Sequence, residues 1–218
     1  MNRLLDLILS LIYPPKCPFC DRVLNRGEDG LCSACQRVLP WIEDGTPAKT
    51  VEHCDACLSP LWYRDGVRQG MHRYKFQQGR VHARLFGTLM AQCLQDRWRE
   101  PVDLITWAPL SKQRRRRRGY DQAELLARQV GAVTGLRVVP TLVKIRNTKA
   151  QSRLSPSASR LANVQGAYAC RPSTELAGKR VILVDDVVTS GATLSQCAAC
   201  LRAAGAQTVT ALTFARAK

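Results

Sequence analysis

The chain has no internal repeat and no low-complexity segment beyond the five successive arginines at 114–118. Its apolar opening stretch, "MNRLLDLILSLIYPP", is cut by Asp6 and is too short to span a bilayer. The same stretch has one arginine and no small-residue cleavage site, so it does not read as an export signal. Leu4, Leu5, Ile8, Leu11 and Ile12 share one helical face, and the expectation is a short helix docked on its own domain. The expected compartment is the cytoplasm. Acid is scarce: 17 Asp and Glu stand against 33 Lys and Arg, a formal charge of +16. That imbalance points to anionic partners: nucleic acid, phosphorylated small molecules or an acidic membrane. The charge is not evenly spread. Residues 111–160 hold thirteen Lys or Arg and only two acids, Asp121 and Glu124.

What remains is ordinary for a folded domain. The 218 residues are 45% hydrophobic and 23% charged, enough for one medium domain and a small one. Six of the ten cysteines precede Leu58 as Cys-x-x-Cys pairs: Cys17/Cys20, Cys32/Cys35 and Cys54/Cys57. In a reducing compartment such pairs point to metal rather than disulfides. A Cys-x-x-Cys turn aims two thiolates at one point, and two such turns complete a tetrahedral S4 site suited to Zn2+. "CPFC", eleven residues, then "CSAC" fits a small zinc ribbon and predicts Cys17, Cys20, Cys32 and Cys35 as ligands of a structural zinc. Cys54 and Cys57 lack a second nearby pair; His53 and His72 are the histidines within reach in sequence, and each also reads as a surface residue. Cys197 and Cys200 lie in an Ala-rich helical run and read as packing thiols. Cys93 and Cys170 carry no pattern.

"EDGTPAKTVEH" reads as a linker. Beyond it helices and strands alternate. "GRVHARLFGTLMAQCLQDRW", "YDQAELLARQVGAVTG" (closed by Gly135) and "ATLSQCAACLRAAGA" (with Gly205 at its end) are helix-like; "VDLITWAPLS" is a short strand running into a loop; "RVVPTLVKIR", "KRVILVDD" and "QTVTALTFA" are strand-like. Alternation of this kind predicts an α/β domain with a parallel, Rossmann-like sheet. The expected division is residues 1–58 for the N-terminal helix, ribbon and linker, and 59–218 for the α/β domain.

"VILVDDVVTSGAT", residues 181–193, carries the chemistry. In a parallel sheet, ligands sit beyond the carboxyl ends of strands. Asp185 and Asp186 stand at such an end, and Thr189, Ser190, Gly191, Ala192 and Thr193 lead straight into a helix. Backbone N–H groups at a helix N-terminus, with hydroxyls beside them, suit a phosphate. Two carboxylates a few residues back suit a pair of sugar hydroxyls. The combination predicts a ribose 5-phosphate ligand, with the carboxylates favouring positive charge on the ribose and helping to hold Mg2+.

This stretch resembles the phosphoribosyl pyrophosphate (PRPP) motif of type I phosphoribosyltransferases. The resemblance implies that Asp185 and Asp186 are the catalytic pair on the ribose hydroxyls, and that residues 189–193 hold the 5-phosphate. "APLS" looks like the pyrophosphate-contacting loop, with Pro109, Leu110 and Ser111. The basic segment 148–166 falls where such enzymes carry a mobile hood. Lys75, Arg118 and the charges of 149–160 are candidates to neutralise a leaving pyrophosphate.

Over nearly its whole length the chain resembles the competence-protein ComF family, through "RYKF", "RRRGYDQAELLA", "TKAQSRLSPSASRLANVQGAY" and "VDDVVTSGAT" in that order behind a cysteine-rich ribbon. It has three Cys-x-x-Cys pairs in that region where many members have four. Thr189 stands where hypoxanthine-guanine enzymes have an Asp, which counts against 6-oxopurine salvage. The sequence has no identifiable base pocket and no dedicated general base. The family resemblance implies a role in DNA uptake, with single-stranded DNA and a helicase-like partner. Two functions follow: a phosphoribosyltransferase with an unidentified acceptor, or a nucleotide-sensing or single-stranded-DNA-binding accessory protein on the same fold.

Overall fold

Apolar alternation builds the sheet. In a computed structural model that describes residues 14–77, 79–146, 166–172 and 174–218, strand β6 (Arg180–Val188) and strand β7 (Thr208–Arg216) run parallel over eight register pairs, from Arg180↔Thr208 to Val188↔Arg216. Ile182, Val184, Leu212 and Phe214 point to one face; Val181, Leu183, Val209 and Ala211 point to the other. This is the period-two pattern of strands buried on both sides.

The other strands complete a parallel sheet. β3 (Leu104–Trp107) pairs with β6, and β1 (Ala56–Leu58) and β2 (Leu61–Trp62) both pair with β7. A parallel bridge from Ile105 to Val138 extends the β3 edge. The sequence 137–146 thus does not make one strand. Pro140 has no N–H to give a ladder, and past it the chain leaves the sheet: β4 (Leu142–Lys144) pairs antiparallel with β5 (Tyr168–Cys170) in a separate hairpin sheet. β6 also continues beyond the aspartates to Val188 instead of ending at them.

Helices cover both faces. On one, α2 (Asp65–Phe76), α3 (Ala83–Arg97) and α5 (Gln122–Thr134) bring Met71, Tyr74, Phe86, Met90, Leu126 and Val130 to the sheet. On the other lies α6 (Ala192–Ala203), with Leu194, Cys197 and Leu201. Gly135 closes α5 in the left-handed region. The arginine run forms a further short helix, α4 (Lys112–Arg118), between a Ser111 N-cap and a left-handed Gly119. Repelling i,i+4 charges disfavour such a helix, and its capping residues offset them.

The ribbon is welded to this core. α1 (Ser33–Val38) belongs to it, and Phe19, 2% exposed, packs against the α/β domain's stacked aromatic pair, 5.8 Å from Phe86 and 6.5 Å from Phe214. β1 draws Ala56–Leu58, a segment just before residue 59, into the main sheet. The expected N-terminal helix and the segment 148–165 lie outside the described residues.

Candidate functional site: a cysteine centre and an acidic strand end

Two local turns make the cysteine centre. Asp21 N–H donates to Cys17 O at 2.9 Å and Cys17 N–H to Arg22 O at 2.8 Å, closing the first knuckle with Asp21 at φ 64°. Cys32 caps α1 and accepts from Cys35 N–H at 3.4 Å. The four sulfurs of Cys17, Cys20, Cys32 and Cys35 lie within 4.8 Å of one another, with Cys20 and Cys32 3.7 Å apart. Tetrahedral zinc with Zn–S bonds of about 2.3 Å sets its sulfurs roughly 3.8 Å apart, so this donor set fits Zn2+. Glu28 braces the knuckles, accepting from Ser33 N–H at 2.7 Å, Asn25 N–H at 2.8 Å and the Arg22 guanidinium at 2.8 Å. Those amide bonds hold its carboxyl down at about 2.

No second cluster of metal-ligand residues forms among the described residues. Cys57 sits on β1, buried in the core behind the sheet, and Cys54 packs beside it. Burial pushes their thiols up to about 11 and about 12. His72 lies against Phe76, ring centroids 5.0 Å apart, away from them. Cys197 is fully buried in the same core, a packing thiol.

The acidic strand end assembles three segments. β3 and β6 are in register, so Trp107 stands beside Val184, and Ala108 N–H donates to Val184 O at 2.9 Å. The loop Pro109, Leu110, Ser111 therefore leaves the sheet beside Asp185. Leu110 N–H is held at 2.7 Å by Asp121 Oδ2, while Asp121 Oδ1 caps α5 through Glu124 N–H. Burial pushes the Asp121 carboxyl up to about 6. The spacing Asp121-x-x-Glu124 is a capping-box signal that was present in the sequence.

Asp186 N–H donates to Asp185 Oδ1 at 2.8 Å, so the Asp185 carboxylate is held by the backbone of the next residue. Burial, then the neighbouring Asp186 charge, drives the Asp185 carboxyl well above the usual carboxylate range. Asp186 takes the Lys75 ammonium at 2.6 Å. Arg118 comes to the same side, 4.8 Å over the Phe76 ring, with burial lowering its pKa and Asp186 opposing that. Of the sequence candidates for cationic partners, Lys75 and Arg118 converge here; the cluster at 149–160 lies outside the described residues.

The turn after β6 meets the expectation of a helix entry. Gly191, at φ 79°, caps α6 and its carbonyl accepts from Ser195 N–H at 2.8 Å. A concavity here is lined by Asp185, Thr189, Gly191, Ala192 and Thr193 among others. What packs behind Gly191 was not legible in the sequence. Val51, from the presumed linker, is 4% exposed, and a Cβ on Gly191 would lie 3.2 Å from its Cγ2. Lys144 and Tyr168, on the β4–β5 hairpin, were also missed: Lys144 Nζ donates to Tyr168 OH at 2.9 Å beside Thr193.

A parallel sheet sandwiched by helices, a strand end with paired carboxylates and a small-residue helix entry, set behind a four-cysteine knuckle pair, defines a phosphoribosyltransferase-type domain with a zinc ribbon. Residues 116–218 match the phosphoribosyl transferase domain family and residues 8–65 the double zinc ribbon domain family. The chain is 30% identical to competence protein F of Haemophilus influenzae over 223 residues, spanning 93% of this chain and 97% of that protein. It is 30% identical to the DNA utilization protein YhgH of Salmonella typhimurium, over 91% of this chain and 96% of that one. The chain belongs to the ComF competence-protein family. Among solved structures it overlaps a glutamine PRPP amidotransferase from B. subtilis complexed with ADP and GMP, at 25% identity over 61% of this chain and 26% of that one, with a TM-score of 0.42. Among the described residues no helix is long and apolar enough to cross a membrane.

Proposed function

We propose that this protein binds PRPP with Mg2+ at the carboxyl end of β6 and transfers its phosphoribosyl group to an acceptor, in the cytoplasm and in the service of DNA uptake. The observation that carries the reading is the meeting of three segments at the carboxyl end of β3 and β6: the loop at Pro109, Leu110 and Ser111, the Asp185–Asp186 pair, and the turn 189–193. Each fits one part of the ligand. Amides and hydroxyls of Thr189, Ser190, Gly191, Ala192 and Thr193 suit the 5-phosphate. Asp185 and Asp186 suit the ribose 2- and 3-hydroxyls. Ser111, with Arg118, suits the pyrophosphate, since Pro109 carries no N–H and the Leu110 N–H is held by Asp121.

Displacement at ribose C1 expels pyrophosphate and builds positive charge on the ring. Asp185 and Asp186 favour that charge, and the rigid strand end positions it in advance. Paired carboxylates are oxygen donors of the kind that hold Mg2+ together with substrate phosphates, and the ion neutralises the leaving group when bound. Cys17, Cys20, Cys32 and Cys35 hold the structural zinc in this reading.

Calorimetry of PRPP with Mg2+ tests the site. Wild type should bind, and Asp186→Asn should bind at least roughly tenfold more weakly. No binding at millimolar PRPP overturns the reading. Pyrophosphate release across candidate acceptors then separates a transferase from a sensor of the same ligand.

A second reading has its own observation. α4 exposes Lys112, Arg115, Arg116 and Arg117 on one short helix, and relatives carry the name DNA utilization protein. This surface suits the phosphates of single-stranded DNA, presented by a helicase-like partner.

A further inference from the structure

We infer that Lys144 and Tyr168 form the cationic wall of the ribose-phosphate pocket, with the Lys144 ammonium receiving the 5-phosphate. The inference rests on the phosphoribosyl reading and adds to it a binding residue outside the sequence motif.

The two residues face each other across the β4–β5 hairpin as a register pair. Lys144 Nζ lies 2.9 Å from the Tyr168 hydroxyl and 4.7 Å over the tyrosine ring. Tyr168 is 7% exposed, and its hydroxyl also bonds the Thr193 side chain, in the turn that enters α6. The ammonium thus stands one hydroxyl away from the proposed phosphate turn.

Its surroundings leave its charge poorly matched. Among the described residues Lys144 makes no ion pair, and its hydrogen bond goes to a neutral phenol. The groups that act on it are Arg114 from α4, Asp121 from the start of α5, Asp185 from β6 and Cys197 from α6. Burial comes first and Arg114 adds to it, pushing the ammonium down to about 8, while Cys197, Asp185 and Asp121 pull the other way. A buried cation bonded to a phenol is costly on its own, and a dianion arriving at the turn matches it. Tyr168 sets the direction of the lysine stem, so the charge is aimed before the ligand arrives.

The consequence is a linkage. An anion beside Lys144 raises its pKa, so binding takes up protons where the free group is partly neutral. Affinity should be highest near pH 7, where the phosphate is mostly dianion and the lysine mostly charged, and fall as pH rises through about 8, by up to roughly tenfold per unit at the steepest. Phosphate itself is fully ionised in that range. Asp185, also raised, adds repulsion as it ionises, so the variant comparison must isolate the lysine.

The test uses the full chain and ribose 5-phosphate. Calorimetry at pH 7.0 and 8.3, in two buffers of different ionisation enthalpy, reads affinity and proton uptake. Wild type should take up protons at pH 8.3. Lys144→Arg should keep its pH 7.0 affinity within a few-fold and lose part of that uptake, since arginine does not titrate. Lys144→Met should bind about tenfold more weakly or worse with its melting temperature retained. Tyr168→Phe should weaken binding several-fold. Single-stranded DNA binding, measured in parallel, should not change. Wild-type affinity in Lys144→Met, or wild-type proton uptake in Lys144→Arg, overturns the inference while leaving the phosphoribosyl reading intact; the arginine variant decides if the methionine variant does not fold. Equal loss of DNA and ribose 5-phosphate binding also overturns it, placing Lys144 in a nucleic-acid surface. Failure of wild type to bind ribose 5-phosphate or PRPP at millimolar concentration overturns both.

Discussion

Lys75 Nζ lies 2.6 Å from Asp186 Oδ1, joining residues 111 positions apart. The bond ties α2 to the acidic strand end and places a cation against the second of two adjacent carboxylates. Two residues earlier on the same helix, Arg73 donates to the carbonyls of Pro18 and Phe19 at 2.7 and 3.2 Å. One helix therefore holds both the cysteine knuckle and Asp186.

The pair is mostly sheltered, its side chains 21% and 15% exposed, so its removal has a measurable effect. Lys75→Met leaves Asp186 beside Asp185 without its cation and should destabilise the fold by about 1–3 kcal/mol. Lys75→Met with Asp186→Asn should be less destabilised than the sum of the single changes. A double-mutant cycle by denaturant unfolding reads the coupling; a coupling near zero shows that the bond contributes nothing to stability.

Protein purified without chelator should carry about one zinc per chain from the four-cysteine site. Replacing Cys32 and Cys35 by Ser should remove it. Because Phe19 and Cys17 belong to the same core as Phe86 and Phe214, metal loss should lower the melting temperature of the whole α/β unit. Metal analysis and thermal unfolding with and without chelator check both. Zinc retained in the double Ser variant contradicts the ligand assignment.

Asp121 gives a pH dependence with a defined sign. Its folded pKa is about 6; an unfolded Asp titrates near about 3.9. Between those values the folded chain binds more protons than the unfolded one. The contribution of Asp121 to stability therefore falls as pH rises from about 4 to about 6 and is constant above. The difference in melting temperature between wild type and Asp121→Asn should change across that window and be flat from pH 7 upward. A difference that stays flat throughout means that Asp121 keeps its ordinary pKa.

The exposed charges of α4 separate the DNA reading from the PRPP reading. Lys112, Arg116 and Arg117 are exposed, whereas Arg115 pairs with Glu124 at 3.3 Å and Arg118 stacks on Phe76. Changing the first three to Ala should weaken single-stranded DNA binding and reduce its log–log salt slope by about 2, with PRPP binding nearly unchanged. Sequence preference should be slight, since the run has no interleaved aromatics. Binding isotherms from 50 to 300 mM salt decide it; loss of PRPP binding instead assigns the run to the phosphoribosyl site.

By itself the sequence determined what depends on local order. The 3.6-residue and two-residue apolar periods specify α3, α5, α6, β6 and β7, because each element buries a face set by its own pattern. The Cys-x-x-Cys spacing specifies paired thiols, and "DDVVTSGAT" places carboxylates and a helix entry a few residues apart in any fold. Even there a limit shows: β6 runs on past Asp186 because pairing with β7 continues to Arg216, and strand pairing is a property of two segments.

Only the tertiary structure decided what meets across long separations. Residues 137–146 look like one strand, yet Pro140 divides them between a bridge at the sheet edge and a separate hairpin. Cys54 and Cys57 share the spacing of the ribbon pairs, and the sheet claims Cys57 for its core because β1 pairs with β7. Val51 lies in a stretch with the composition of a linker and packs against Gly191. The pairings of Lys75 with Asp186, Asp121 with Leu110, and Lys144 with Tyr168 cannot be read from isolated letters. The pKa shifts of Asp121, Lys144 and Tyr168 come from burial and from charges brought close by the fold, and neither exists until the chain has closed around them.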